Sequence, residues 1–362
     1  MSIPVVYFAG LPRASGLEQR VRATNMILEA FGVESVVSRK DRTAIKIHVG
    51  EKGNSTFLAP EIVRAVVTRV KEAGASPFLT ETSTLYKGER NNAIDHLSLA
   101  FAHGFTFEAT GAPFIMADGL TGATEVEVPI RGLLFDQVAI AREVAFADSL
   151  VAVTHATGHL GNGLAAAIKN LGMGLASRMG KLRQHSALKP KVDPQACTFC
   201  GKCLKWCPVE AVVERGGKAF IASEVCIGCG ECLAVCRFDA VRHDWCSDLG
   251  QLQRREAEHA LGVLQDKRDK ILVLSYLVDM TKDCDCMAMG QDRLQPDVGV
   301  LASRDPVAVD QAALDMTRER FGISLAEAGW PSVDPAAQLE HGEKIGLGSR
   351  TYKLERVGEV GA

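Results

Sequence analysis

Residues 197–236 read CTFCGKCLKWCPVEAVVERGGKAFIASEVCIGCGECLAVC and contain eight of the 11 cysteines of the chain. The first four cysteines have the spacing C-x-x-C-x-x-C-x-x-x-C, with Pro208 directly after them, and the last four repeat this spacing. Disulfide frameworks are typical of exported proteins, and the first residues contain no basic region that would indicate an export signal. The crowded cysteines therefore predict ligands of metal ions or clusters.

The spacing is typical of the bacterial two-cluster ferredoxin run. Three cysteines two residues apart curl a loop around one iron–sulfur cube, whereas the fourth lies on a segment that points toward the other cube. Two zinc ions fit less well, because zinc sites usually have paired C-x-x-C units with a longer gap between them. We therefore expect two [4Fe–4S] clusters, the first held by Cys197, Cys200, Cys203 and Cys236, and the second by Cys226, Cys229, Cys232 and Cys207.

On both sides of this block, strand-like and helix-like segments alternate. Residues 43–49 and 271–278 have the patterns of strands, whereas helical spacing with an early proline predicts a helix over residues 305–321. This alternation predicts an α/β fold with a mixed or mostly parallel sheet and helices on both faces. The cysteine block interrupts the alternation. We expect an α/β domain in two parts, residues 1–188 and 246–362, with an α+β bacterial ferredoxin-like domain inserted at residues 189–245.

Two local predictions belong to the first part of the α/β domain. Ser15 and Glu18 have the spacing of a capping box for a helix over residues 17–31. A second helix is expected from about Gly163 to Leu171.

Composition places the chain among folded proteins without a polybasic surface. The 362 residues include 41 Lys and Arg against 44 Asp and Glu, so the net charge is −3. This balance argues against a dedicated nucleic-acid binder. No apolar run approaches the roughly 20 residues that span a bilayer. We therefore expect a cytoplasmic protein with no membrane span and no nucleic-acid partner.

Residues 149–192 contain no Asp or Glu, although they contain six Lys or Arg and three His. A buried strand here is followed by a glycine-rich turn and a helix, an arrangement that often binds anions. A dinucleotide site would need an acidic residue about 20 positions further on, and none is present before Asp193. A small anionic ligand, a docking surface for the insert and a plain structural role stay open. For the first of these, the candidate catalytic residues are His155, His159 and Lys169, and the candidate anion-binding residues are Gly161, Gly163 and Arg178.

Polar loops after other predicted strands add weaker candidates. Lys46 and His48 alternate on one face of a strand and are predicted to contact the same anion. Glu51, Glu81, Tyr86 and Arg90 are plausible neighbours. In the second part of the α/β domain, Asp305 is predicted to cap a helix that begins at Pro306. Asp297 and Asp310 are predicted to be ligands of the basic pocket or counter-ions to it.

Cys284 and Cys286 form a separate Cys-Asp-Cys segment directly after the strand at residues 271–278. In an extended chain, residues i and i+2 point to the same side, so the two thiols should face one way. This suits an additional metal ion or cluster, or a redox pair. A Cys-x-Cys disulfide closes a small ring and ranks below metal binding, and two unliganded thiols remain an alternative. Cys246 is expected to be an ordinary thiol.

These segments together resemble the uncharacterised iron–sulfur centre protein family of bacteria and archaea, a domain-of-unknown-function family with an inserted two-cluster ferredoxin module. The resemblance covers nearly the whole chain. It rests on the two cysteine runs, KIHVGE, FLTETSTLYKGERNNA, HATGHLGNGLAAAIKNLGMGLASRMGKLRQH, CDC and DVGVLASRDPVAVDQAALD. It implies cluster binding and redox chemistry without an agreed substrate. A shorter similarity, limited to the histidines and Lys169 among glycines, is to nickel-pincer lactate racemases, in which a lysine holds a cofactor derived from nicotinic acid.

Three functions follow as hypotheses. The first is an electron-transfer protein, in the form of a ferredoxin-fed oxidoreductase with an anion-binding pocket. Its partners would be an external ferredoxin or reductase and a small anionic substrate. The second is a non-enzymatic cluster or electron relay, or a maturation scaffold. The third is non-redox, racemase-like chemistry beside structural clusters.

Overall fold

The structure is a computed structural model that describes residues 3–86, 88–185, 189–226, 228, 230–243 and 249–361, without the side chains of Ala234 and His243. The predicted cluster ligand Cys229 and the thiol Cys246 lie outside the described residues.

The strands follow one another along the whole chain. They are β1 (Val5–Gly10), β2 (Arg42–Lys46), β3 (Ser76–Glu81), β4 (Phe114–Met116), β5 (Glu125–Pro129), β6 (Gln137–Ala141), β7 (Ser149–His155), β8 (Thr157–His159), β9 (Gly163–Ala165), β10 (Pro190–Val192), β11 (Val212–Arg215), β12 (Lys218–Ile221), β13 (Val241–His243), β14 (Ile271–Leu277), β15 (Gly299–Ser303) and β16 (Lys353–Glu359).

The helices lie between these strands. They are α1 (Leu17–Phe31), α2 (Pro60–Glu72), α3 (Ala93–Ala102), α4 (Phe107–Thr110), α5 (Arg142–Ala145), α6 (Ala167–Gly172), α7 (Arg178–His185), α8 (Lys202–Trp206), α9 (Glu231–Val235), α10 (Leu249–Val263), α11 (Pro306–Phe321), α12 (Leu325–Gly329) and α13 (Ala336–Lys344), with a 3-10 turn at Val33–Ser35. None of the described helices is both long enough and apolar enough to cross a bilayer.

Eight strands form one sheet in the order β16-β1-β15-β14-β7-β2-β3-β4. Only β15 runs against the others, because it pairs antiparallel with both β1 and β14, whereas the remaining neighbours pair in parallel. This mixed, mostly parallel sheet confirms the predicted fold class. From β2 the chain moves outward to β3 and β4, and from β7 it moves the other way to β14. The neighbours β2 and β7 therefore flank a topological switch point, where sheets of this class usually bind ligands.

Both faces of the sheet are covered by helices because its central strands are apolar on both sides. All seven residues of β14 are buried. Its residues Leu272, Leu274 and Tyr276 pack in a cluster with α1 and α2. Its residues Ile271 and Val273 pack on the opposite face with α6, α10 and α11. The sheet is therefore a central layer covered on both faces, and the ends of its strands lead into polar loops.

Two predicted elements differ in detail. The residues expected to begin a helix at Gly163 instead form the hairpin of β8 and β9, and α6 begins only at Ala167. Helix α1 has the predicted bounds, but its N-cap is Gly16 and the reciprocal side chain is that of Gln19, because Ser15 is drawn away to Asp297. The predicted cap of α11 is present, since Asp305 accepts a hydrogen bond from the Ala308 N–H at 2.9 Å.

The segment that carries the cysteine runs forms its own small unit. Strands β10 and β13 pair antiparallel where this segment leaves and rejoins the sheet domain, and β11 pairs with β12 as a hairpin. Its core is a separate cluster that includes Cys197, Cys203 and Cys232. The unit lies against α7, where the backbone of Gly230 meets the side chain of Leu182.

Candidate functional site

A cavity of about 1090 Å³ opens at the carboxyl ends of the parallel strands. The last residues of β2, β3 and β7, which are Lys46, Glu81 and His155, all line it, so the cavity lies at the switch point of the sheet. Its outer wall comes from the cysteine-rich unit, which contributes Cys236 and Arg242. Cavities at this place in an α/β sheet are the usual ligand sites.

The floor of the cavity is a buried network of charges around Glu81. Glu81 accepts a hydrogen bond from the Val49 N–H at 3.0 Å, and the Lys46 ammonium lies 3.8 Å from it. Burial lowers the pKa of Lys46 to about 8. Burial alone would raise the pKa of Glu81, but the Lys46 ammonium holds it well below its ordinary value. Lys46 is therefore an ion-pair partner of Glu81. Glu81 thus neutralises much of the Lys46 charge that was predicted to contact an anion.

His48 lies at the edge of the same network and contacts Arg90. The Gly50 N–H donates to His48 Nδ1 at 3.0 Å, and the Arg90 guanidinium lies 3.1 Å from His48 Nε2. Enclosure by protein, and then the charge of Arg90, lower the pKa of His48 to about 3. Arg90 also contacts Glu51 at 3.3 Å. His48 is thus a neutral ring beside Arg90, so it brings no positive charge to the predicted anion contact.

His155 is fixed by both of its ring nitrogens. Nε2 donates to the carbonyl of Val278 at 2.7 Å, and Nδ1 lies 2.8 Å from the carboxylate of Asp285. Because a carbonyl and a carboxylate both accept, both nitrogens must carry protons, which describes an imidazolium. Burial would lower the pKa of His155, but Asp285 raises it above its ordinary value. His155 therefore anchors the loop after β14, and the structure leaves the predicted proton transfer to other groups.

That loop brings Cys284 and Cys286 to the cavity wall. Asp285, between them, is held by His155 and by the Thr56 hydroxyl at 2.9 Å, so both flanking side chains turn to one side. The sequence favoured metal binding over a disulfide here, whereas in the structure the two sulfur atoms are joined as a disulfide. The two sulfurs and a ring nitrogen of His159 also lie within 4.8 Å of one another, a set that suits a metal ion when the thiols are reduced.

Lys169 and His159 lie beside this disulfide. Lys169 Nζ is 3.8 Å from Cys284 Sγ. Burial lowers the pKa of Lys169, and burial together with the charge of Lys169 lowers the pKa of His159 well below its ordinary value. His159 is therefore neutral. Because its Nδ1 accepts the Gly161 N–H at 3.1 Å, its proton lies on Nε2.

Glu256 on α10 completes this group, although no sequence pattern singled it out. Its side chain is fully buried, lines the cavity and accepts a hydrogen bond from Asn162 with one oxygen, Oε2. The other oxygen, Oε1, has no partner among the described residues. Burial raises the pKa of Glu256 to about 7, and the nearby Lys169 only partly offsets this. A carboxyl group with such a pKa can exchange protons near neutrality.

Two further cations line the cavity near the cysteine-rich unit. Arg178 donates to the carbonyl of Asn91 at 3.2 Å. Lys181 donates to Thr82 Oγ1 at 2.5 Å and to the Ser83 carbonyl at 2.6 Å, and burial lowers its pKa to about 7. With Lys169, these side chains give one side of the cavity its positive charge.

The glycines predicted to bind an anion have a different role. Gly163 has a φ of +69°, and a Cβ there would lie 2.5 Å from the carbonyl of Val333. Neither Gly161 nor Gly163 lines the cavity. The N-terminus of α6 is occupied by Asp310, whose carboxylate accepts the N–H groups of Ala167 at 2.7 Å and Ile168 at 2.9 Å. The Asp310 carboxyl group thus occupies this helix end, and the cations described above are the remaining candidates for binding an anion.

Asp310 was predicted to be a ligand or counter-ion of the pocket, but it caps α6 instead. The same prediction for Asp297 is also wrong, because Asp297 makes its contacts elsewhere. Asp297 binds the Ser15 N–H at 3.0 Å and the Arg20 guanidinium at 3.0 Å, away from the cavity.

The described cysteines of the two runs lie in three places. Cys207, Cys226 and Cys232 line one small cavity inside the cysteine-rich unit. Cys197 and Cys200 are close enough to Cys203 that their negative charges contribute, after burial, to raising the pKa of its thiol. Cys236 faces the large cavity instead.

Comparison with known proteins identifies a matching family and two solved structures with a similar chain path. A family described as "Domain of unknown function (DUF362)" matches residues 43–315. No curated protein matches the chain.

Two solved structures are similar in chain path. One is a Thermotoga maritima protein determined by a structural genomics consortium, with a TM-score of 0.43 and 7% identity over 82% of this chain and 57% of that one. The other is the lactate racemase apoprotein from Thermoanaerobacterium thermosaccharolyticum, with a TM-score of 0.33 and 10% identity over 75% of this chain and 56% of that one. The chain thus spans less than two thirds of the length of each.

Proposed function

We propose that this chain, which belongs to the DUF362 family, is an iron–sulfur oxidoreductase that acts on a small anionic substrate in the large cavity. Electrons would come from an external carrier of the ferredoxin class through two [4Fe–4S] clusters in the cysteine-rich unit. One observation carries the proposal: Cys236, a predicted cluster ligand, lines the same cavity as Lys169, His159 and Glu256.

The chemistry of the cysteine-rich unit fits two clusters. Cys197, Cys203 and Cys232 are buried in the core of the unit. Cys207, Cys226 and Cys236 pack against this core, and Cys200 is exposed. Backbone N–H groups also approach the sulfurs: Phe199 N lies 3.4 Å from Cys197 Sγ, and Ala211 N lies 3.2 Å from Cys207 Sγ. Such hydrogen bonds to the ligand sulfurs tune cluster potentials.

When bound, the clusters would supply electrons one at a time. The side chains of the cavity have separate tasks. Lys169 and Arg178 hold the anionic group of the substrate by charge and hydrogen bonds. His159, with its proton on Nε2, donates a hydrogen bond to the reacting oxygen. Glu256, with a pKa of about 7, gives or takes the proton.

Anaerobic purification followed by iron and sulfide analysis tests the cluster assignment. We expect about eight irons and eight sulfides per chain, as two [4Fe–4S] clusters require. Clusters reduced with dithionite are then mixed with small carboxylates that carry a reducible carbonyl, beginning with pyruvate. Reoxidation that is lost in Arg178→Met supports the proposal. Absence of iron overturns it. Reoxidation by a partner protein but by no small molecule would favour the relay function instead.

A second candidate, proton abstraction without redox chemistry, is favoured by Glu256 and Lys169. A carboxyl group of raised pKa beside a lysine of lowered pKa is an arrangement that moves protons. Replacement of Cys200 by Ser separates the two candidates: isotope exchange on a 2-hydroxy acid such as lactate should survive this change only if the clusters are structural.

A further inference from the structure

We propose that Cys284 and Cys286 are a redox-active pair that accepts two electrons as a disulfide and passes them on as a dithiol. The proposal rests on the proposed function, because the two clusters supply these electrons one at a time. The pair would convert two single-electron deliveries into the two-electron change that most organic substrates need.

The pair has the placement that such a relay requires. Both cysteines line the cavity that Cys236 lines from the opposite unit. Cys284 is buried, whereas Cys286 is partly exposed to the cavity, so one sulfur is protected and the other can be reached. Where a disulfide forms in a reducing compartment, it is usually transient and serves catalysis or redox sensing.

The loop holds the two sulfurs together in either state. Asp285, between them, is fixed through its side chain by His155 at 2.8 Å and Thr56 at 2.9 Å. Its carbonyl accepts the Glu51 N–H at 2.8 Å. The backbone between the cysteines is therefore anchored to β7 and to the loop after β2. Reduction can break the S–S bond without releasing the loop.

Lys169 supports the charge that reduction creates. Its ammonium lies 3.8 Å from Cys284 Sγ, the buried sulfur, which leaves the broken S–S bond as a thiolate before a proton reaches it. His159, within 4.8 Å of both sulfurs, lies on the same side.

Reduction of the disulfide and its re-formation each move two electrons and two protons. The S–S bond breaks, two electrons enter, one from each cluster, and two protons from solvent complete two thiols. An external one-electron donor of the ferredoxin class then reduces the clusters again. The dithiol returns to the disulfide when the anionic substrate takes up two electrons and two protons.

Thiol trapping tests the pair in the whole protein, purified anaerobically with its clusters loaded. Reduced ferredoxin is added, the reaction is stopped with iodoacetamide, and the peptide that contains both cysteines is weighed by mass spectrometry. We expect this peptide to pass from unlabelled to doubly labelled at least about tenfold faster than in protein stripped of clusters. Equal rates with and without clusters would overturn the inference, as would zinc bound by the pair in the purified protein.

Matched variants separate the roles. Lys169→Met should slow labelling by about tenfold, because the new thiolate loses its counter-charge. Lys282 lies two residues before Cys284, and its ammonium lies 4.5 Å from the centre of the Trp330 ring. Lys282→Met should leave the labelling rate unchanged. Cys286→Ser should keep its iron and give a single label without any reductant.

The outcomes also separate this inference from the function on which it rests. Protein without iron would refute the proposed function. Protein whose clusters bleach on reduction while the disulfide persists would refute this inference alone.

Discussion

Burial shifts the pKa values of acidic and basic side chains around the cavity in opposite directions. Burial favours the neutral form, so the pKa of Glu256 rises to about 7 while that of Lys181 falls to about 7. Such a site contains groups that change charge near neutral pH. The pH dependence of protein stability should therefore differ between a substitution at a buried acid, Glu256, and one at a buried ion pair, His155 with Asp285.

Glu256→Gln should increase the stability of the protein strongly at pH 8.5. At pH 5.5 the same substitution should increase it much less. The folded-state pKa of Glu256 is raised, so the folded state favours the protonated form and loses stability as pH rises from about 4.5 toward 7. Glutamine carries no charge to bury, which should add up to about 3 kcal/mol to the free energy of unfolding at high pH. Denaturant midpoints at both pH values measure this.

Glu355→Gln is the control for that measurement, since Glu355 is exposed on β16. A Glu256→Gln gain that is the same at both pH values would contradict the assignment.

His155→Gln should destabilise the protein more at pH 6 than at pH 9. The pKa of His155 is raised in the folded state by Asp285, so the stability from this pair is fully present below about 6.5 and is lost as pH rises through the folded-state value. Removing one partner of a buried pair costs about 3 kcal/mol. Thermal midpoints across this range give the profile, and a loss that does not depend on pH would indicate that His155 is neutral.

Sequence reasoning reached His155, His159 and Lys169 because they follow a strand in an acid-free segment. It missed Glu256, because the acid that approaches this segment comes from a distant helix. A signal was present: Glu256 follows Leu252 and precedes Ala260 at four-residue intervals, which places an acid on the apolar face of α10. A charge on that face is expensive unless it has a use.

At the scale of elements, the hairpin of β8 and β9 shows why local pattern misled. The run of small residues after Gly163 favours a helix, but Gly163 adopts a left-handed conformation and packs against Val333. The helix can begin only after this contact, where Asp310 caps it. Both determinants lie more than a hundred residues along the chain, beyond any local window.

The two glycines of this hairpin form a matched test. Gly163→Ala should lower the free energy of unfolding by at least about 2 kcal/mol, because it combines a positive φ with a Cβ 2.5 Å from the Val333 carbonyl. Gly161→Ala places its Cβ 3.3 Å from Leu252 and should change stability by less than about 1 kcal/mol. Urea midpoints of the two variants measure the difference. Similar losses in both would show that the hairpin lacks this packing.

At the scale of the whole molecule, the alternation of segments was enough to predict a covered, mostly parallel sheet. The reversed direction of β15 was not predictable, because residues 298–302 have the apolar pattern of any buried strand. The outer wall of the cavity was likewise not predictable, since it arises where the cysteine-rich unit lies over the strand ends. Tertiary placement, not composition, brings Cys236 and Cys284 to one space.

Excision of the cysteine-rich unit should leave the sheet domain folded. Val192 and Val241 are directly paired across β10 and β13, so an Asn-Gly turn can replace residues 193–240 without displacing either strand. We expect the circular dichroism and the thermal transition of the sheet domain to persist, while the cavity loses its outer wall. Unfolding of the shortened chain would show that the unit is part of the same cooperative core.

The neighbours of β1 have a consequence for biosynthesis. β1 is synthesised before every other strand of the sheet, yet both of its partners, β15 and β16, belong to the last quarter of the given chain. At 5–20 residues per second, about 15–60 s separate the synthesis of β1 from that of β15. During this interval an apolar strand has no place in the sheet. A chaperone that binds apolar segments of nascent chains would therefore find a target at Val5–Gly10, and its release would await the synthesis of β15 and β16.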